Sequence, residues 1–159
     1  MCGAVRFHWH DVNDSLLNAL PQTDVGYESQ YWGVHPILPV HVEGHTLLVE
    51  WGNRSAHRGM PATGWAQRES VKAGKWNHHQ PVPVVIPVQQ GYEQGVWFSI
   101  THGIHGILLG RGADARVFMM TEAATPMYLA LTNHPRQPWL INQSTIEPLP
   151  GSQSQMRLW

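Results

Sequence analysis

Cys2 is the only thiol in the chain, and it stands beside the first methionine in Met1-Cys2-Gly3. A methionine followed by a small side chain is a substrate for removal, and cysteine is small. Loss of Met1 would place a primary amine and a thiol on adjacent carbons of one residue. An α-amine titrates near 7.7–8.0 and a lysine near 10.4, so about a tenth of the α-amine is neutral at pH 7. A neutral amine adds to an aldehyde to give an imine. The neighbouring thiol can then close on the imine carbon, forming a five-membered thiazolidine more resistant to hydrolysis than the open imine. The same arrangement suits an N-terminal nucleophile that cleaves amides. Against both stands the common fate of a lone cysteine, an inert small hydrophobe, and retention of Met1 would block the amine chemistry.

Other constellations are less complete. His8 and His10, the pair His78-His79, and His102 with His105 have metal-ligand side chains. No cysteine or carboxylate completes any of these sets, and there is no HExxH pattern, so neither a metal site nor a cofactor is expected. No GxGxxG or GxxxxGK[ST] segment is present to cradle phosphate. Arg54, His57, Arg58, Lys72 and Lys75 cluster in sequence around Trp65 and Trp76. They fit a nucleic-acid path with stacking surfaces as well as they fit a solvated loop and helix.

The chain has 159 residues, 42% hydrophobic and 13% charged, with a net charge of −1. That fits one globular domain over 1–159 and argues against coating nucleic acid by charge alone. One cysteine excludes an internal disulfide framework. No apolar run approaches the roughly 20 residues of a membrane span, and the first residues lack a signal-peptide core. A monomer in the cytoplasm, nucleoid-associated if bacterial, is expected.

Twelve prolines and fifteen glycines imply many turns and short elements. The patterns predict strands over 5–9, 37–42, 46–51, 82–88, 96–101, 107–109, 116–121 and 139–142. Residues 43–45 close a hairpin, 52–64 form a loop and 89–95 a turn. Pro83 and Pro87 mark 82–88 as an edge or bulged strand. Helices are predicted over 11–20 and 123–131, with a weaker one over 65–76. Residues 146–159 read as an irregular tail. The sum is a strand-dominated α+β domain with a barrel-like sheet and few short helices.

Four separated pieces, taken in order, resemble the SRAP family, the SOS response-associated peptidase-like proteins that sense abasic sites in single-stranded DNA. The first is Met1-Cys2-Gly3. Val49-Glu50-Trp51-Gly52 is similar to the family's Arg-Trp-Gly-Leu strand end. Ile86-Pro87-Val88-Gln89-Gln90-Gly91-Tyr92-Glu93 is similar to its Ile-Pro-Ala-x-Gly-Phe-Tyr-Glu-Trp. Met120-Thr121-Glu122-Ala123 and His134-Pro135-Arg136-Gln137-Pro138 resemble its Thr-Thr-Glu-Ala and His-x-Arg-Met-Pro.

The resemblance implies roles. Cys2 bonds the ring-opened aldehyde sugar, Glu93 acts as acid and base and assists removal of Met1, and His134 shuttles protons. One carboxyl and one imidazole can together protonate a leaving hydroxyl and deprotonate an amine. Arg136 and Thr121 hold phosphate, and Trp51 supports the strand end that presents the site. Arg68 and Trp65 complete the expected DNA-binding set. The chain departs from the family at Ala4, where arginine is usual, and at Trp65-Ala66-Gln67-Arg68-Glu69, which stands in for Asn-Ala-Arg-x-Glu. Trp65 thus occupies the position of the active-site asparagine, and Arg68 replaces the arginine after a one-residue shift. The expected activity is a covalent crosslink to abasic single-stranded DNA. The alternatives are a Cys2-dependent peptidase or amidase and a non-catalytic DNA-binding relative.

Overall fold

The computed structural model describes residues 1–11, 13–54 and 59–151. Among these residues twelve strands run β1 Ala4–Phe7, β2 Gln22–Thr23, β3 Gly26–Gln30, β4 Ile37–Val42, β5 His45–Trp51, β6 Trp65–Gln67, β7 Val82–Ile86, β8 Gln90–Glu93, β9 Val96–Ser99, β10 Ile104–Leu109, β11 Arg116–Ala123 and β12 Arg136–Pro138. Two short α-helices join them, α1 Arg68–Lys72 and α2 Pro126–Thr132. This is the expected strand-dominated α+β architecture. No helix among the described residues is long and apolar enough to cross a membrane.

The strands form two sheets. In the larger one, β10, β7, β4, β5 and β11 pair in that order, and pairing of β10 with β11 closes the ring. The smaller is antiparallel, in the order β2-β3-β1-β8-β9. β11 is the hub. Its residues Arg116 to Thr121 are buried without interruption, the pattern of a strand covered on both faces. It pairs in parallel with β5 at Val117↔Trp51 and with β6 at Met119↔Trp65, and antiparallel with β12.

Gly52 makes the break between β5 and β6 possible. Its φ is +66°, and a Cβ there would stand 2.5 Å from the Gly64 Cα and the Thr63 oxygen. The Gly52 amide still reaches the Val117 carbonyl at 2.7 Å. Both the left-handed backbone and the close approach require glycine. Gly52→Ala should therefore lose about 3 kcal/mol of stability in urea unfolding; a loss below about 1 kcal/mol would contradict this account.

The structure corrects several expected elements. The described residues of 11–20 form no α-helix; one 3-10 turn, Ser15–Leu17, replaces it. The Asp11 and Asp14 carboxylates accept from the amides of Asn13 and Leu16, local bonds that compete with helix. Leu17 is buried but Leu16 is half exposed, so the apolar stripe has little to cover; Val12 lies outside the described residues. Residues 65–76 open as a strand, because Trp65–Gln67 ladders onto β11, and only Arg68–Lys72 is helical. Residues 89–95 are not a turn but β8 and its hairpin, which closes through Gln94 and Gly95, both with positive φ, as a two-residue hairpin requires. β7 lies inside the ring, not at an edge. It tolerates Pro83 because its pairing with β4 is confined to His41↔Val85. The last strand is Arg136–Pro138, with Leu140 contributing only a bridge to Ile104. In the expected tail, Pro148 bridges to Phe98, and 152–159 lie outside the described residues.

Candidate functional site

The N-terminal segment is threaded between β3 and β8. The Gly3 amide donates to the Tyr92 carbonyl at 3.0 Å, and the Tyr31 amide donates to the Gly3 carbonyl at 3.0 Å. Cys2 is thereby drawn into the core, where it is fully buried. Its thiol donates to the Ala4 carbonyl at 3.2 Å. Burial pushes the thiol up to about 12, only partly opposed by a hydrogen bond from the Tyr92 backbone. Gly91 leaves the room: a Cβ there would lie 2.7 Å from the Phe98 ring and 3.1 Å from the Cys2 Sγ.

The Met1 α-amine meets the predicted acid and base. It lies 2.5 Å from Glu93 Oε1, 2.6 Å from His134 Nδ1 and 3.1 Å from Nε2. It also donates to the Arg136 carbonyl at 3.2 Å. Burial lowers the amine's affinity for its proton below the usual 8.0, while the Glu93 hydrogen bond and charge resist that fall. Glu93, His134 and the N-terminus, more than 40 residues apart in sequence, thus converge on one atom.

Each partner is held by its own element. Glu93 ends β8 and is 6% exposed. It accepts from the Tyr128 hydroxyl at 3.2 Å, and burial drives the Tyr128 phenol far above its ordinary value. Tyr128 is set by α2, whose N-cap Thr125 takes the Tyr128 amide on its side chain and whose first position is Pro126. The helix ends at Asn133, with φ +58°, which turns the chain out to His134. His134 Nδ1 lies 3.1 Å from the Arg136 amide and 3.0 Å from the Arg136 carbonyl. Nδ1 therefore finds a main-chain partner with or without a proton, which suits a group that passes protons.

The predicted DNA contacts gather at the same end, but every one is already engaged. Arg136 donates to the Thr121 carbonyl at 2.8 Å and its hydroxyl at 3.1 Å, and pairs with Glu69 at 2.9 Å. Arg68 pairs with Glu122 at 3.1 Å and lies 3.9 Å over the Trp139 ring. Trp65 donates its indole N–H to the Cys2 carbonyl at 3.0 Å. Trp51 is wholly buried and donates to the Gly64 carbonyl at 3.0 Å. It holds the strand end and packs edge-on to Trp65; it has no surface for a ligand. Glu69 is more than half exposed, so its hold on Arg136 is the one a phosphate could replace most easily.

Among the described residues no cluster of three or more His, Cys, Asp or Glu could hold a metal ion. His57 and Arg58 of the basic segment lie outside the described residues, and Arg54 donates to the Tyr31 carbonyl at 3.1 Å. Sequence reasoning missed Tyr128, although the Thr125-Pro126 helix start carried the signal that places it.

No protein-family model matches the chain, and no curated protein matches it. Its structure resembles an X-ray structure of a protein from Bordetella bronchiseptica, with a TM-score of 0.52 and 15% identity over 97% of this chain and 87% of the other. That likeness is one of fold.

Proposed function

We propose that this chain is a SRAP-like protein that bonds ring-opened abasic sites in single-stranded DNA through Cys2 after Met1 is removed. The observation that carries the reading is the meeting of the N-terminal amine with Glu93 and His134. A buried carboxylate on an α-amine is the recognition an exopeptidase needs, and here the amine belongs to the chain itself. Hydrolysis of the Met1–Cys2 bond consumes one water. Glu93 takes a proton from that water as it adds to the Met1 carbonyl, and returns one to the departing Cys2 nitrogen.

The new amine lies one peptide unit inward from the old. Its neutral form attacks the aldehyde carbon, and the carbinolamine loses water with a proton delivered from His134. The Cys2 sulfur then adds to the imine carbon while its proton passes to the nitrogen. Aldehyde, amine and thiol have become a thiazolidine and one water. Trp65, at the position of the family's asparagine, supports this by fixing the Cys2 carbonyl. Arg136 with Thr121, and Arg68, supply phosphate contacts once their carboxylate partners are displaced.

The test is an abasic single-stranded oligonucleotide incubated with Met1-free protein and resolved on a denaturing gel. A shifted band lost in Cys2→Ala is expected. No band from the Met1-free protein, or a band that survives Cys2→Ala, would overturn the proposal. Release of a peptide product without DNA would favour the peptidase reading instead.

A further inference from the structure

The outer face of the smaller sheet carries a cleft of about 530 Å³ that opens beside the reactive end of the chain, with Gly3 and Glu93 in its wall. That is the size of a pocket for a small planar ligand. Its other walls include Arg6, Glu28, Gln30, Trp32 and Trp97. The register explains why they share one face: Arg6 pairs with Glu28 on one side and Gln90 on the other, and Ala4 with Gln30 and Tyr92.

Two planar surfaces are on offer. Trp32 is 72% exposed, although its indole is a large apolar group, and it is braced edge-on by Tyr31 at 4.8 Å. The Arg6 guanidinium lies 3.7 Å over the Trp97 ring. Arg6 is also fixed from its edge, donating to Glu28 at 2.9 Å and Gln90 at 3.2 Å, while Gln30 donates to the other Glu28 oxygen at 2.8 Å. The polar groups are thus oriented before any ligand arrives.

Charge decides which part of a nucleotide this cleft suits. Glu28 neutralises Arg6, and Arg6 is the one lysine or arginine in the wall. A phosphate would meet no net positive charge here. A neutral ring would meet two stacking surfaces and a carboxylate able to accept from an exocyclic amine. On the reading that Cys2 bonds an abasic sugar, we propose that this cleft holds the nucleobase next to that sugar, and that it prefers amine-bearing bases over thymine. Stacking would then set the lesion against the amine and thiol.

The experiment uses Met1-free full-length protein, wild type and Trp32→Ala, with abasic oligonucleotides whose flanking base is 2-aminopurine, thymine or a baseless spacer. Trp32 is exposed, so its removal leaves the fold intact. The flanking 2-aminopurine fluorescence should fall on binding, and the adduct should form about ten-fold slower either with Trp32→Ala or with the spacer. The two losses should not add, because both remove the same stack. Glu28→Gln should erase the preference against thymine. Adducts that form equally fast on every oligonucleotide with both proteins would overturn the cleft assignment and leave the Cys2 chemistry standing. If no adduct forms at all, the 2-aminopurine change in an intact strand decides the cleft alone: a Trp32-dependent fall supports it, and none overturns it. Free deoxyadenosine bound as tightly as the strand would overturn the assignment to a strand base.

Discussion

Glu93→Gln is expected to fold, to keep Met1, and, when freed of Met1 by other means, to form DNA adducts at least a hundred-fold more slowly than the parent. General acid–base groups contribute about 10²–10⁴ in rate, and Glu93 is the carboxylate at the N-terminal amine. Glutamine has the same shape, and its amide oxygen can still accept from Tyr128, so packing is retained. The substitution removes a charge that resists the loss of the Met1 proton. The Met1 amine of the unprocessed variant should therefore lose its proton more readily, whereas the nucleophile of the adduct step is the Cys2 amine, which exists only after Met1 has gone. Intact mass reads the retention of Met1. A protease-cleavable leader that leaves Cys2 first separates the two steps. Normal processing together with a parental adduct rate would remove Glu93 from the mechanism. Tyr128→Phe should be milder, because it withdraws one hydrogen bond from the carboxylate and leaves the carboxylate in place.

The residues that carry Glu93 explain why part of the site was legible and part was not. Its identity was readable from the run Ile86 to Glu93, but the part of that run from Gln89 onward reads locally as a turn, with two glutamines and a glycine. It is a strand whose inward positions are Gly91 and Glu93. The usual apolar alternation is missing because the inward face makes room for the Cys2 sulfur and supplies the carboxylate. The hairpin of β4 and β5 was legible because Leu38, Val40, Val49 and Trp51 face an ordinary core and Glu43-Gly44 closes it. The arginines show the opposite limit. Arg136 and Arg68 were visible as cations, but their engagement by Glu69 and Glu122 joins residues 67 and 54 positions apart. No local pattern encodes such pairs. The apolar stripe of 11–20 misled for the converse reason, since a periodic pattern forms a helix only where tertiary packing covers it.

The second large effect lies in the thiol itself. While Met1 is present, Cys2 should react with iodoacetamide at pH 8 roughly a thousand-fold more slowly than in the urea-unfolded chain. A thiol held at about 12 carries about a thousandth of the thiolate of an ordinary one near 8.5 at that pH, and the thiolate is the nucleophile. The same displacement makes stability depend on pH, with a fixed sign. The folded thiol holds its proton more tightly than the unfolded one, so its contribution is complete below about pH 8.5 and is lost as pH rises toward 12. The loss accrues at about 1.4 kcal/mol per pH unit in that window. Urea unfolding of the parent and of Cys2→Ala should therefore differ by about 2–3 kcal/mol less at pH 10.5 than at pH 8. Packing lost in the alanine variant is the same at both values and drops out. Rapid labelling of the folded parent at pH 8, or a gap that does not move with pH, would show that the thiol is not held as its burial requires. Removal of Met1 should reverse the silence, because it places an ammonium group on the carbon next to the sulfur-bearing one and opens the segment that covers it. A thiol quiet before processing and reactive after it would confine the aldehyde chemistry to chains whose amine is ready to take part.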